Sequence, residues 1–204
     1  MTDAAAVRVR DLEVRYARGG EPAVGGVSFE ASPGDVVLLT GPAGCGKSTV
    51  LHALLGLAPA AGEVSVLGRP PGAPDVLRRV GYAPQGRPVD RRLTARETAR
   101  LVAAARGLPA GEADAALERL GVAQPQRLAG RLDPEEMRRL TLALADMGAP
   151  DLVVLDDPWE MPETVEVIDR ARGRGATVLV AIAEPGGLAG SATRTLQLVG
   201  GRAT

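Results

Sequence analysis

The sequence predicts an α/β fold in which a glycine-rich loop joins a buried strand to an apolar helix. Residues 35–40, DVVLLT, form a nearly continuous apolar run, as strands buried on both faces do. The loop GPAGCGKST, residues 41–49, follows directly, and TVLHALLGL, residues 49–57, is an apolar helical segment. This order predicts that the N-terminus of the helix faces the loop, where it favours bound anions.

Composition and charge narrow the classes of function. The 204 residues are 45% hydrophobic and have a net charge of −1, so we expect one domain over residues 1–204 without the basic face of a nucleic-acid-binding protein. One cysteine excludes an internal disulfide framework and fits a reducing compartment. The N-terminus lacks the apolar core of a secretory signal, which favours the cytoplasm. Because no apolar run reaches about 20 residues, a membrane role would require a partner.

Lys47 is the only lysine in the chain, and the other 23 of the 24 cationic residues are arginine. A lysine is a compact point charge that fits a narrow loop, whereas a guanidinium is a wide planar fork. Gly41, Gly46, Lys47 and Ser48 match G-x-x-x-x-G-K-[ST], the P-loop that binds nucleotide phosphates and Mg²⁺. The alternative is a glycine-rich turn with an accidental lysine. The predicted phosphate-binding residues of the loop are Gly41, Pro42, Ala43, Gly44, Cys45, Gly46, Lys47, Ser48 and Thr49.

Forty residues precede the loop, and two of their segments, residues 7–16 and 25–32, alternate apolar and polar positions as strands do. Together with the motifs GVSFEASPGD, GPAGCGKST, AAGEVSVLGR, VGYAPQ, LVVLDDP, TVLVAIAE and LQLVGGR, this order resembles the ATP-binding subunit of ABC transporters over nearly the whole chain. The resemblance implies a P-loop NTPase fold of ABC type. This fold has a mixed sheet, an N-terminal antiparallel β subdomain and a small helical lobe.

The resemblance also implies site residues, with ATP and Mg²⁺ as cofactors. Tyr16 would stack on adenine; its alternative is simple packing at a strand end. Gln85 would contact Mg²⁺ and the surface that couples to the permease, or be an ordinary turn residue. Asp156, which closes the apolar run LVVLD, would hold Mg²⁺ with Ser48 and Gln85.

Two positions depart from the family in a direction that weakens hydrolysis. Asp157 stands where the family has a catalytic glutamate, and its shorter side chain leaves the carboxylate about 1.5 Å back from the attacking water. Ala183 stands at the switch-histidine position, and the only histidine is His52, expected to be a partly buried residue of the helix after the P-loop. The sequence therefore predicts binding of Mg-ATP with weak or partner-dependent turnover.

The signature motif departs furthest. Residues 132–136 read LDPEE instead of LSGGQ, and this pattern predicts a helix start with Asp133 as N-cap, Pro134 at the first position and Glu136 completing a capping box. Its carboxylates would repel a triphosphate at the positive helix end. An alternative alignment places the signature at residues 128–130, LAG. The D-loop after Asp157 is also shortened.

A helical lobe is predicted at about residues 86–140, because residues 93–108 and 111–122 carry apolar side chains at helical spacing. In the family this lobe receives a helix of the permease; the alternative is a lobe that packs only against its own core. Three arginine pairs, at residues 78–79, 91–92 and 138–139, are predicted to be solvated, although the middle pair could serve docking.

Two functions are compatible with these features. The first is the Mg-ATP-binding subunit of an ABC transporter, which would pair with itself or with another ABC ATP-binding subunit at the inner face of the membrane, held there by a permease. The second is a regulatory or scaffold pseudo-ATPase that binds ATP without turnover. A DNA-maintenance ATPase is disfavoured, since the chain has neither a long coiled-coil insertion nor a basic face.

Overall fold

The computed structural model describes residues 5–17, 20–86 and 89–203, which form two sheets. The smaller is antiparallel, with strand order β2-β1-β4, and comprises β1 (Val7–Val14), β2 (Val24–Ala31) and β4 (Ala61–Val66). Buried and more exposed positions alternate along β2, which explains the period of two seen in the sequence. The predicted antiparallel β subdomain is confirmed.

The larger sheet has six strands in the order β5-β6-β7-β3-β8-β9. These are β5 (Val80–Ala83), β6 (Leu152–Asp156), β7 (Thr177–Ala181), β3 (Val36–Thr40), β8 (Arg194–Val199) and β9 (Arg202–Ala203). All neighbours pair in parallel except β8 and β9, so the sheet is mixed, as predicted. Because parallel strands end at one edge, the segments after β3, β5, β6 and β7 meet there.

Six α-helices lie in the described part of the chain: α1 (Lys47–Leu54), α2 (Pro74–Leu77), α3 (Ala95–Arg106), α4 (Glu112–Arg119), α5 (Pro134–Asp146) and α6 (Pro162–Gly173). Helix α3 begins with a capping box between Thr94 and Glu97 and ends at the left-handed Gly107. Helices α3 and α4 fall within the residues predicted for the helical lobe. The limits of that lobe stay a prediction.

Apolar side chains pack on both faces of the larger sheet. One cluster joins α3, α4, α5 and α6 to the sheet, and the other joins α1 and the small sheet to it. Strands β3, β6 and β7 are buried along their whole length, since both faces are covered. The rigid strands therefore fix the positions of the loops at their carboxyl ends.

Three local expectations needed correction. Helix α1 begins at Lys47 and ends at Leu54 instead of spanning residues 49–57, and β1 ends at Val14, before Tyr16. Asp133 caps α5 as predicted, but the buried carboxylate of Glu136 lies 3.8 Å from Arg127, and no return bond to residue 133 completes a capping box. Within the described residues, no helix has the length and apolar character needed to cross a membrane.

Candidate nucleotide-binding site

The loop between β3 and α1 requires glycine at two positions. Gly41 has φ 139° and Gly46 has φ 102°, a region that other residues rarely adopt. A Cβ at Gly41 would collide with the carbonyl oxygen of Leu198, and one at Gly46 would lie 2.9 Å from that of Ala23. The loop is thus pressed against the ends of neighbouring strands, which fixes the direction of its amides.

Lys47 occupies the first position of α1 and curls over its own loop. Its Nζ donates to the carbonyl oxygens of Gly41 at 2.7 Å and Pro42 at 2.9 Å. Pro42, Ala43 and Gly44 are exposed, so the outer side of the loop is open to a ligand. The charge and the helix N-terminus together suit a polyphosphate.

Cys45 contributes to the loop mainly through its backbone. Its amide donates to Pro42 O at 3.3 Å, its carbonyl accepts from Gly201 at 3.1 Å, and the residue is only 5% exposed. Lys47 Nζ lies 3.7 Å from the sulfur. The small side chain fits beneath the loop, which agrees with the interpretation that a small residue is tolerated here.

Ser48 and Asp156 are brought together although 108 positions separate them. Ser48 Oγ donates to Asp156 Oδ1 at 2.8 Å, at the point where α1 begins beside the end of β6. Two hard oxygen donors at this separation fit Mg²⁺, whose remaining positions would be filled by phosphate and water. When bound, Mg²⁺ would neutralise phosphate charge; these two residues would hold and orient it.

Burial raises the pKa of the Asp156 carboxyl, against the hydrogen bond from Ser48 that lowers it. Folding therefore favours the protonated form, and the ionised carboxylate reduces stability at neutral pH. We expect Asp156→Asn to raise the free energy of unfolding of the ligand-free protein at pH 7, and with it Tm, because the variant removes this buried charge. Thermal unfolding measures this, and the gain should disappear as the pH falls and Asp156 itself becomes protonated.

Asp169→Asn is the matched control, because Asp169 is an exposed aspartate of α6. It should leave Tm unchanged at pH 7. A loss of stability in Asp156→Asn, or an equal gain in the control, would contradict this account of Asp156. Mg²⁺-dependent nucleotide binding should be weakened in Asp156→Asn alone, since only that variant loses a charge beside Ser48.

Tyr16 lies just after β1 with its ring 63% exposed. Its hydroxyl lies 3.4 Å from Oγ1 of Thr49, in the first turn of α1. The ring is thus held beside the loop with much of its surface uncovered. That position is suitable for stacking on a base, and the role of Tyr16 stays a prediction.

Gln85 reaches Asp157 across the sheet edge. Gln85 follows β5, and its Nε2 donates to Asp157 Oδ2 at 2.8 Å. Asp157 has φ 52°, and its amide donates to Ala181 O at 2.8 Å, so its backbone is firmly placed. The structure thus brings Gln85 to Asp157, whereas Ser48 and Asp156 pair with each other.

No histidine takes the switch position beside the loop: residue 183 is alanine, and the side chain of His52 contacts Tyr82. The carbonyl of Ala183 accepts from Gly41 N at 3.1 Å, and its side chain is only a methyl group. His52 is a half-buried residue of α1, as predicted, and its Nε2 lies 3.1 Å from the hydroxyl of Tyr82. Burial, with a smaller effect of the charge on Asp156, raises the pKa of Tyr82 to about 12. Tyr82 therefore stays a neutral phenol.

The start of α5 has few free donors. Asp133 accepts from Glu136 N at 2.8 Å, and Pro134 has no N–H to offer. The alternative signature at residues 128–130 is no better placed, since Ala129 N donates to Leu93 O at 2.7 Å and Gly130 N to Arg91 O at 3.0 Å. Both segments therefore present fewer free amides to a phosphate than an uncapped helix start would.

Sequence reasoning missed the contacts of the third arginine pair. Arg138 lies over the ring of Trp159 with its guanidinium carbon 3.1 Å from the ring centroid, and Arg139 donates to Glu163 at 2.8 Å. The pair is therefore not a solvated face: it joins α5 to the segment after Asp157. No sequence periodicity connects these residues, so only their charge and aromatic types could have suggested the contact.

An apolar groove of about 440 Å³ lies between the end of β5 and α3. Its floor is formed by Tyr82 and Leu144, and Leu101 stands on its rim with 58% exposure. Asp90 and Arg106 supply the charged part of the lining. Pro84, next to Gln85, also lines the groove, which therefore adjoins the candidate site.

Comparisons with known proteins agree with this geometry. The model of the ABC transporter family matches residues 24–160. The zinc import ATP-binding protein ZnuC of Cereibacter sphaeroides is 40% identical over 76% of this chain and 60% of its own length. The cytochrome c biogenesis ATP-binding export protein CcmA of Cupriavidus pinatubonensis is 36% identical over 74% and 69%.

The chain thus spans less than two thirds of the length of the zinc import protein. A solved structure described as the ATP-binding subunit of an ABC transporter superposes with a TM-score of 0.86 at 23% identity, covering 97% of this chain and 88% of that one. That likeness confirms the predicted fold. The family model matches more than half of the chain, and this chain therefore belongs to the ABC transporter family.

Proposed function

We propose that the chain binds Mg-ATP as a subunit of an ABC transporter, hydrolyses ATP weakly or only with a partner, and transmits nucleotide binding to a membrane permease. It would lie in the cytoplasm against the inner face of the membrane, held there by the permease. The observation that carries the proposal is the juxtaposition of Lys47, Ser48 and Asp156 at one sheet edge. This arrangement would place the positive charge that binds phosphate beside two side chains that can bind Mg²⁺.

Nucleotide binding needs only residues that match the family's motifs. The loop amides and Lys47 would hold the phosphates, Ser48 and Asp156 the metal, and the exposed ring of Tyr16 the base. Each of these groups lies on or beside α1 or at the end of β6. Binding therefore does not depend on the positions that depart from the family.

Hydrolysis needs residues at positions 157 and 183 that differ from those of the family. Asp157 is one methylene short of the water-activating glutamate, and its carboxylate already accepts from Gln85. Ala183 has no side-chain donor for the γ-phosphate. Setting the water-activating carboxylate back by about 1.5 Å can reduce the rate on the order of a hundredfold, which supports weak turnover.

The composite sites of an ABC dimer would also be affected. The start of α5 is capped by Asp133 and lacks the serine and glycine amides of the signature, so it would contribute little to a nucleotide bound on a partner subunit. Pairing with a complete subunit would leave both composite sites altered. This favours a heterodimer or homodimer in which ATP occupancy matters more than turnover.

The apolar groove beside Gln85 supports a permease as partner. Leu101 is exposed at its rim, although a large apolar side chain gains from burial. Two charged residues, Asp90 and Arg106, could fix the orientation of a docked helix. The contact from Gln85 to Asp157 would then connect the groove with the nucleotide site.

A membrane pull-down tests the permease. Leu101→Arg places a charge in the groove and should abolish co-purification of a multi-spanning membrane protein with the tagged chain. Leu57→Arg is the matched control, because Leu57 is 65% exposed and does not line the groove. Loss in both variants, or in neither, would contradict docking at this groove, and a soluble client without a permease would favour the pseudo-ATPase.

A further inference from the structure

Three arginines converge on one buried carboxylate where α4, α5 and α6 meet. Asp146, the last residue of α5, is 2% exposed. Its Oδ2 lies 2.9 Å from Arg170 Nε and 3.5 Å from Arg119 Nε, and its Oδ1 lies 3.2 Å from Arg174 Nη1. Only the contact from Arg174 is also a hydrogen bond, so Arg119 and Arg170 are held to Asp146 as ion pairs.

The neighbouring acceptors serve Arg119 and Arg174 but not Arg170. Glu112 Oε1 accepts from Arg119 at 3.2 Å and from the amide of Gly148 at 3.0 Å. Arg174 donates to Pro150 O at 3.4 Å. Arg170 differs: within the described residues its buried Nε and Nη2 make no hydrogen bond, and its contact with Asp146 is an ion pair only.

A fourth guanidinium, that of Arg106, lies nearby but does not line the cleft described below. It donates to the carbonyl oxygens of Met147 and Arg78, and burial lowers its pKa against the charge of Glu112. Backbone carbonyls thus accept from Arg106 and from one nitrogen of Arg174, but none in the described part of the chain accepts from Arg170. Among the described contacts, Asp146 and Glu112 are the only carboxylates paired with the three arginines of the cluster.

A cleft of about 510 Å³ opens over this cluster. Arg119, Arg170 and Arg174 line it, and Gly148 and Glu112 complete the wall. The cleft lies at the amino end of β6, whereas Asp156 closes the other end of that strand, about 13 Å away. It is therefore a separate site from the nucleotide loop.

We propose that this cleft binds an oxyanion of the phosphate class. Three guanidinium groups against two carboxylates leave an excess of positive charge that a bound anion would neutralise, and the guanidinium fork matches the geometry of phosphate oxygens. Nη2 of Arg170 is buried and makes no hydrogen bond, and rotation about its terminal side-chain torsions would turn it toward the cleft, where the anion would accept from it. The anion would join α4 to α6 through charge-assisted hydrogen bonds.

The test uses inorganic phosphate without Mg²⁺ on a Lys47→Ala background, which removes the lysine of the nucleotide loop. Calorimetric titration should show one bound phosphate. Adding Arg170→Gln should weaken it about tenfold, the effect of losing one charge-assisted hydrogen bond. Adding Arg172→Gln, which removes the same charge from an exposed position of α6, should change the affinity by less than about twofold.

Absence of phosphate binding on the Lys47→Ala background would overturn the proposal, and so would equal affinity in the Arg170→Gln and Arg172→Gln variants. Should Arg170→Gln fail to fold, Arg119→Gln replaces it with the same expected loss. An unchanged affinity in Arg119→Gln would then overturn the proposal. Because all variants share the altered nucleotide loop, these outcomes are independent of whether the chain binds ATP.

Discussion

Lys47→Ala is expected to weaken Mg-ATP binding about a hundredfold or more, the largest effect of any single change in this chain. The variant loses the only lysine, and with it two or more charge-assisted hydrogen bonds to the phosphates, each worth about 1.5–3 kcal/mol. Equilibrium titration with a fluorescent ATP analogue measures the change. Thermal unfolding must accompany it, because Lys47 also donates to Gly41 and Pro42 within the loop.

Lys47→Arg separates charge from shape. It keeps the positive charge but replaces a thin stem by a planar fork, which the narrow loop does not accommodate. We expect it to lose affinity nearly as far as the alanine variant. Wild-type affinity in Lys47→Arg would show that the loop accepts a guanidinium. It would then contradict the explanation that position 47 keeps a lysine, in a chain with 23 arginines, because an arginine does not fit.

The second large effect is a gain of ATP turnover in a variant that restores the family's residues at the catalytic, switch and signature positions. This combined variant carries Asp157→Glu and Ala183→His, and the signature changes Asp133→Ser, Pro134→Gly, Glu135→Gly and Glu136→Gln. It should hydrolyse ATP on the order of a hundredfold faster than the parent, since it restores the water-activating carboxylate and a donor for the γ-phosphate. Steady-state release of phosphate measures it.

The gain should come with a loss of stability. Asp157 has φ 52°, a left-handed conformation that aspartate tolerates better than glutamate, so the longer side chain costs about 1 kcal/mol. Serine at position 133 keeps an N-cap, but glycine in place of Pro134 weakens the first turn of α5.

The same variant with Asp157→Asn instead of Asp157→Glu is the control and should stay at the turnover of the parent. An equally active control would mean that residue 157 takes no part in activating water.

The fold and the positions of the loop residues could be predicted because their sequence signals are local. The apolar run of β3, the glycines of the loop and the lysine that opens α1 are adjacent in sequence. Ser48 and Asp156 are distant, but the rule that parallel strands end at one edge predicts that they meet. The N-cap at Asp133 was equally local and is confirmed.

The contacts that could not be predicted join residues that are distant in sequence and share no motif or periodicity. The bond from Gln85 to Asp157 and the stacking of Arg138 on Trp159 depend on where loops from different strands meet. Asp146 occupies a buried position at the end of α5, where helical periodicity predicts an apolar residue. Only its partners on two other helices, unknown from sequence, make that burial tolerable.

The most direct test of the central claim is a paired measurement on the unaltered chain: its affinity for Mg-ATP and its steady-state turnover, with Lys47→Ala as the blank for both. Binding that requires Lys47, together with turnover close to that of the blank, is the predicted result. Rapid hydrolysis that Lys47→Ala abolishes would contradict it. In that case Asp157 suffices to activate water and the start of α5 does not impair catalysis.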